Sequence, residues 1–428
     1  MVPDKCPLAL KPGTDRINLI QPWPSISATT FTFAPCTTCV MLSRRCIAVS
    51  ALIPLLQSSL INADLTVKTD PSTTLINSWD GWGTSLCWWA NVFGDREDIA
   101  DLLFTTKESV TLSGSTSSLP ALGFTIARYN IGGSGNNVVD DSGTEVSMEA
   151  SDQMPAFKFI ESYWLDWMSE DPTSKSWNWD ADAKQRNMAS LATKRDVDIL
   201  EAFSNSPPWW MTNNHATAGG DDGGADNLED WNHDQFALYL ATVPMSTWWE
   251  YPGGQEGCHF EVDTQKDNLV KLRSQLDTLG LKDVGISSSD ENSPSLALST
   301  LTSMSSDTDV IAAIGKVSTH GYDGLSPYRG TDREPLKDLA AQLNKKLWDS
   351  EYGEDDATGL SLAESIALDI NQMSVSAFVY WQALDSGAWG LVQSNPGDNW
   401  IGDPQPEVLR TRTVFAPHST GYDDPVDG

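Results

Sequence analysis

The chain has 428 residues, 59 acidic against 27 basic side chains, a formal charge of −32, and 18 tryptophans. Its length and 40% apolar content allow one large domain with a sizeable core. The acidic balance excludes a nucleic-acid binder, argues against an anionic membrane surface, and fits a secreted protein kept soluble by charge.

Residues 1–40 are rich in Pro and Thr, show no periodicity, and read as a non-native or disordered leader upstream of a true start at Met41. Residues 41–63 read as a signal peptide: Arg44 and Arg45, a mostly apolar run from Ile47 to Leu60, then the small residue Ala63. That run is interrupted by Pro54 and Gln57 and is too short for a membrane span. Removing it leaves Cys87 and Cys258, a candidate disulfide in an oxidising compartment. Cys36 and Cys39 have a redox or metal spacing but no partner pair and no fitting fold context.

From residue 64 to 402 strand-like and helix-like segments alternate. A first strand is expected near Ser78–Trp88, a second at Phe124–Asn130 running into the turn Ile131–Gly135, and a third at Val197–Phe203 running into Ser204–Met211. Helical periodicity follows at Asp234–Val243 and Thr264–Leu279, with residues 244–263 reading as loop between them. Then come strands at Asp283–Ser287 and Lys316–His320, a helix at Asp332–Leu343, the strand leading to Glu351, a helix at Leu360–Met373, and a strand at Val375–Trp381. Repeated strand–helix units imply a parallel sheet with helices outside, a (β/α)8 TIM-type barrel with polar and aromatic residues gathered after the strands. Seven strands are found where eight are needed, and the gap falls between Val243 and Thr264. The tail from 403 to 428 is polar and irregular.

The segment Lys346–Gly353 carries the chemistry. An apolar run ends on Glu351, followed by Tyr352 and Gly353, which is how a barrel strand delivers a carboxylate to a sugar-cleaving site. Such a carboxylate attacks an anomeric carbon but needs a second carboxyl group as acid/base. Tryptophan pairs at 88–89, 209–210 and 248–249 offer flat faces that stack on sugar rings.

Six segments in order resemble glycoside hydrolase family 30 and, within it, the fungal endo-β-1,6-galactanases: residues 81–90, 128–133, 204–211, 244–249, 253–260 and 348–352. Each alone is a weak signal; the ordered set is a strong one. The resemblance implies a secreted, monomeric retaining hydrolase that needs no cofactor or metal. It would act on β-1,6-galactan side chains of arabinogalactan, with Glu351 as nucleophile. It also implies an acid/base glutamate in an Asn-Glu-Pro run after the fourth strand. Here Val243 joins directly to Pro244, so the Asn, the Glu and that strand are missing, at the position of the independent gap in the strand count. The side β-sandwich of the family is reduced to a remnant. An inactive or impaired enzyme is therefore expected. A non-catalytic carbohydrate-binding protein, or another specificity of the family such as glucosylceramide or xylan, are the alternatives.

Glu291, after another strand, is a candidate substrate contact or stand-in acid/base. Asn130, Trp209, Trp210, His320, Tyr322 and Trp381 are candidate substrate-binding residues. Glu250 and Glu256 read as loop residues rather than catalysts. The acidic run Asp221–Asp226 lacks the spacing and final glutamate of an EF-hand and reads as a flexible loop.

Overall fold

A computed structural model describes residue 76 and residues 78–404, except 117, 141, 221–224, 244–252, 323–331, 357 and 388. The leader, the signal segment, Glu250, most of the Asp221–Asp226 run and the tail beyond 404 lie outside the described residues.

Seven strands form one parallel sheet: β1 (Gly81–Ser85), β2 (Ile126–Asn130), β3 (Ile199–Phe203), β4 (Ser287–Glu291), β5 (Lys316–His320), β6 (Lys346–Tyr352) and β7 (Ala377–Gln382). Their order is β3-β2-β1-β7-β6-β5-β4, so the sheet curls and closes β1 onto β7. Among the described residues it stays open between β3 and β4, where a fourth stave of an eight-stranded barrel would lie. Helices lie between the strands: α1 (Trp89–Phe93) and α2 (Glu97–Phe104) after β1, α3 (Ala183–Thr193) after β2, and α4 (His233–Thr242) after β3. Then α5 (Val262–Thr278) precedes β4, α6 (Pro294–Met304) and α7 (Thr308–Ala313) follow it, and α8 (Arg333–Gln342) and α9 (Leu360–Leu368) flank β6.

Strand alternation sorts side chains into an inner and an outer set. Outward residues such as Val317 and Leu347 pack with Leu301 of α6 and Leu336 of α8. Inward residues Ile126, Trp348, Ala377 and Val379 fill the floor of the barrel. Above that floor the interior turns polar. Lys316 of β5 places its ammonium 2.8 Å from Glu201 of β3, 2.7 Å from the Ser287 hydroxyl and 3.8 Å above the Trp348 ring. The two sheet edges are thus tied by side chains through the interior.

Beside the opening, α4 and α5 pack together, with Phe236 and Phe260 stacked at 5.8 Å. A cavity of about 40 Å³ remains between these helices and β4, lined among others by Leu240, Leu269, Ile286 and Ser289. The buried Ser289 hydroxyl has no hydrogen-bond partner among the described residues. Asp226 fixes the start of α5 by accepting from the Glu261 amide and the Thr264 hydroxyl at 2.5 and 2.6 Å.

The fold expectation holds, and one strand is displaced. The fifth-stave strand, expected at Asp283–Ser287, runs Ser287–Glu291. Val284 and Ile286 carry the β-propensity but lie in the approach to the strand. The strand itself is polar because its inner face meets the charged interior. The helix expected at Leu360–Met373 is α-helical only to Leu368 and ends in a wider turn at Asp369–Met373. Beyond β7, residues Leu384–Asp385, Val392–Asn395 and Trp400–Pro404 form a small three-stranded sheet.

Candidate active site

The site is built where the inward residues of β2 to β7 reach their C-terminal ends, the face on which barrels of this kind carry chemistry. Simple alternation in β6 sends Trp348 and Ser350 inward and would send Glu351 outward. An irregularity between Asp349 and Glu351 breaks the pattern and brings Glu351 inside, a common use of a bulge next to a functional site. Asp349 remains outside and accepts the Glu351 amide at 3.1 Å. Behind it Arg333 of α8 holds Asp369 at 2.6 Å. The strand end bearing Glu351 is therefore fixed from the rear.

Inside, Glu351 is fully buried and receives the Arg128 guanidinium at 2.9 Å and the Tyr322 hydroxyl at 3.3 Å; His320 Nδ1 lies 3.7 Å away. Burial pushes its carboxyl up to about 7 against the opposing pull of His320 and Arg128. For His320, burial alone would lower the pKa, but Glu351 and Asp290 outweigh it and raise it above the usual value. Arg128 also reaches Asp290 at 3.2 Å, approaches Glu201 at 3.6 Å, and lies 4.3 Å over the Phe203 ring. One guanidinium thus serves three carboxylates from three strands, which suits its planar fork.

The position of Glu291 is a correction to the sequence reading. β4 is irregular between Ser289 and Glu291, and Asp290 sits at φ +63°. This turns Asp290 inward and leaves the Glu291 carboxyl to Thr300 of α6, at 2.5 Å. Glu291 does not meet Glu351; Asp290 does, across Arg128. Asp290 accepts from Arg128 and the Ser350 hydroxyl and faces His320 Nε2 at 3.2 Å. Its oxygens are occupied by these donors. Alternation in an unbroken strand would favour Glu291 over position 290; the irregularity reverses the two.

Of the other predicted residues, His320 and Tyr322 join Glu351 directly. Trp381 lies at the inner end of β7, edge-on to Trp88 at 5.2 Å. Asn130 stands one inward step above Arg128, and its buried side-chain amide makes no hydrogen bond among the described residues; Asn205, just past β3, is in the same state. These two amides are suited to sugar hydroxyls. Trp209 is fully buried, edge-on to His215 at 5.9 Å, with its indole N–H unpartnered among the described residues. Trp210 is a second correction. It packs at 5.2 Å on Trp164 and donates to the Trp164 carbonyl at 3.1 Å, inside an aromatic core with Trp177 and Tyr239. Its indole is committed to these aromatic partners. Glu256 bonds Ser134 at 2.7 Å and supports the Gly132–Gly133 turn. That turn needs glycine because a Cβ on Gly133 would fall 2.1 Å from the Pro207 carbonyl oxygen. Cys87 and Cys258 are free buried thiols. Cys87 packs with Phe203 and Trp381 and accepts from the Ser85 hydroxyl, whereas Cys258 lies in the main core cluster and faces the His259 carbonyl. The expected disulfide does not form.

Several buried carboxyls are raised chiefly by burial, among them Glu256 and Glu291 to about 8 and Asp182 and Glu351 to about 7. Each therefore stabilises the fold fully only below its unfolded value, near pH 4, and that contribution is lost as pH rises through 7 to 8. Thermal melts are expected to give the highest Tm near pH 5 and a Tm several degrees lower at pH 8.5. Glu291→Gln should flatten part of that slope. A Tm that rises from pH 5 to 8.5 would contradict the assignment.

A parallel barrel sheet with a buried glutamate on its seventh-stave strand, clamped by Arg, His and Tyr, defines an O-glycoside hydrolase. Comparison with known proteins agrees. The O-Glycosyl hydrolase family 30 model matches residues 64–250, and the Glycosyl hydrolase family 59 model matches residues 231–397. An endo-beta-1,6-galactanase of Hypocrea rufa is 40% identical over 376 residues, covering 83% of this chain and 74% of the relative. Among solved structures, a conserved exported protein from Bacteroides fragilis superposes with a TM-score of 0.64 at 19% identity, covering 81% of this chain and 79% of that one. The catalytic domain of GH30 xylanase C from Talaromyces cellulolyticus gives 0.55 at 18%, covering 81% and 77%; both share the fold. The chain belongs to glycoside hydrolase family 30. Among the described residues, no helix is long and apolar enough to cross a membrane.

Proposed function

We propose that the chain is a secreted, monomeric retaining glycosidase of the endo-β-1,6-galactanase type, with Glu351 as nucleophile. We further propose that its activity on natural glycans is impaired because the stave carrying the proton donor is absent. The observation that carries this reading is the Arg128–His320–Tyr322 socket around Glu351, opposite a sheet that is open between β3 and β4. Arg128 and Tyr322 orient the carboxylate, and Asn130 and Asn205 are placed to take sugar hydroxyls. That a conserved exported protein shares the fold supports secretion.

The test is incubation of the purified protein with β-1,6-galactan, alongside calorimetry with β-1,6-galacto-oligosaccharides. The expected result is binding with turnover about 10²- to 10⁴-fold below that of a complete galactanase, the usual contribution of acid/base catalysis. Full-rate hydrolysis would overturn the impairment. Binding with no product at any rate, even from activated substrates, would favour a carbohydrate-binding protein.

A further inference from the structure

Four large tryptophans near the barrel mouth, at 88, 209, 210 and 381, are at most 5% exposed. Trp389 is different: it is 38% exposed and lies in the loop after β7. Gly353, two residues beyond Glu351, shows where that indole sits. A Cβ on Gly353 would fall 3.0 Å from Trp381 Cβ and 3.6 Å from Trp389 Cε3. Trp389 therefore rests on the strand end that carries Glu351, next to Trp381. Trp79 by contrast packs on Trp82 at the opposite end of β1, 4.6 Å between rings.

The loop is fixed while the ring is open. Tyr380 donates its hydroxyl to the Trp389 carbonyl at 2.8 Å, and the Val392 amide closes the loop base on the Ala383 carbonyl at 2.8 Å. A Cβ on Gly390 would fall 2.3 Å from the Asp385 amide nitrogen, so the chain is drawn tight beside Trp389. The acidic side chains of Glu354 and Asp355 are close by. Glu354 accepts from the Tyr352 hydroxyl at 2.5 Å, and Asp355 Oδ1 is 3.3 Å from the Cβ position of Gly387. A partly exposed indole face on the strand end that carries Glu351 matches a neutral pyranose, whose C–H groups lie on the ring.

We propose that Trp389 is a stacking platform for a sugar ring beyond the cleaved bond, a subsite that makes the protein prefer longer oligosaccharides. This rests on the galactan reading and extends it. Calorimetry with β-1,6-galactobiose and β-1,6-galactotetraose tests both, using the wild type, Trp389→Ala and Trp389→Phe. In Trp389→Ala, tetraose affinity is expected to fall about three- to tenfold, the usual worth of an aromatic contact, with galactobiose affinity and Tm unchanged. Trp389→Phe should keep most of the tetraose affinity. If the wild type binds tetraose and Trp389→Ala binds it equally well, the subsite is wrong and the galactan reading stands. Equal losses for both sugars would also overturn the subsite. If the wild type binds neither sugar, the galactan reading itself fails.

Discussion

With a dinitrophenyl β-1,6-galactobioside and added azide, the wild-type protein is expected to release dinitrophenolate and form the β-glycosyl azide, and Glu351→Gln to do neither. The reason is the split between the two halves of retaining chemistry. Attack by the Glu351 carboxylate breaks the anomeric C–O bond and forms the glycosyl-enzyme ester. A dinitrophenolate leaves with the bonding electrons and needs no proton, so the acid proposed to be absent does not matter in this step. The second step needs a base to take a proton from water. Azide is already an anion and attacks the ester without one, restoring the β configuration by a second inversion. Galactan has a poor leaving group and remains slow. The acid limb of dinitrophenolate release should fall near pH 7, because burial holds Glu351 protonated below about 7 despite His320 and Arg128. Retention of azide-dependent product in Glu351→Gln would remove the nucleophile from position 351. Absence of any azide effect, together with full galactan turnover, would show that a working acid/base is present.

Arg128→Ala is expected to lower stability more than any other single change in the interior. The guanidinium is completely buried and contacts Glu351 and Asp290 at 2.9 and 3.2 Å, with Glu201 at 3.6 Å. Removing it strands buried carboxylates without their cation. Breaking a buried pair by deleting one partner costs about 3–5 kcal/mol, a large share of the roughly 5–15 kcal/mol that holds a domain folded. Urea unfolding should show the loss directly. Arg128→Lys should recover only part of it, because one ammonium cannot span three acceptors on three strands. The remaining cation of the inner layer, Lys316, already serves Glu201, Ser287 and Ser318. A midpoint for Arg128→Ala equal to that of the wild type would mean that the charged layer is not built as described.

The count of seven parallel strands was legible because strand, helix and motif order are properties of contiguous residues. The structure then shows its consequence in space: β3 and β4 each have one strand neighbour, and Lys316 and Glu201 reach across the interior between them. Asp290 was not visible. Nothing in the run Ser287–Glu291 announces that its fourth residue will take a left-handed backbone and exchange faces with its fifth. The same holds for Trp210 and Trp389. Adjacent tryptophans looked like a sugar platform, yet position 210 closed against Trp164, while the isolated Trp389 was left open beside Gly353.

The amino-acid order alone determined the barrel class, the family, the nucleophile candidate Glu351 and the seven parallel strands, since each is written in short-range periodicity or in motifs a few residues long. Tertiary structure alone decided which acid meets Glu351, which thiols stay apart, which tryptophan is core and which is surface. Those outcomes depend on strand irregularities and on packing between segments far apart in the chain, where one step of backbone geometry exchanges an inward side chain for an outward one.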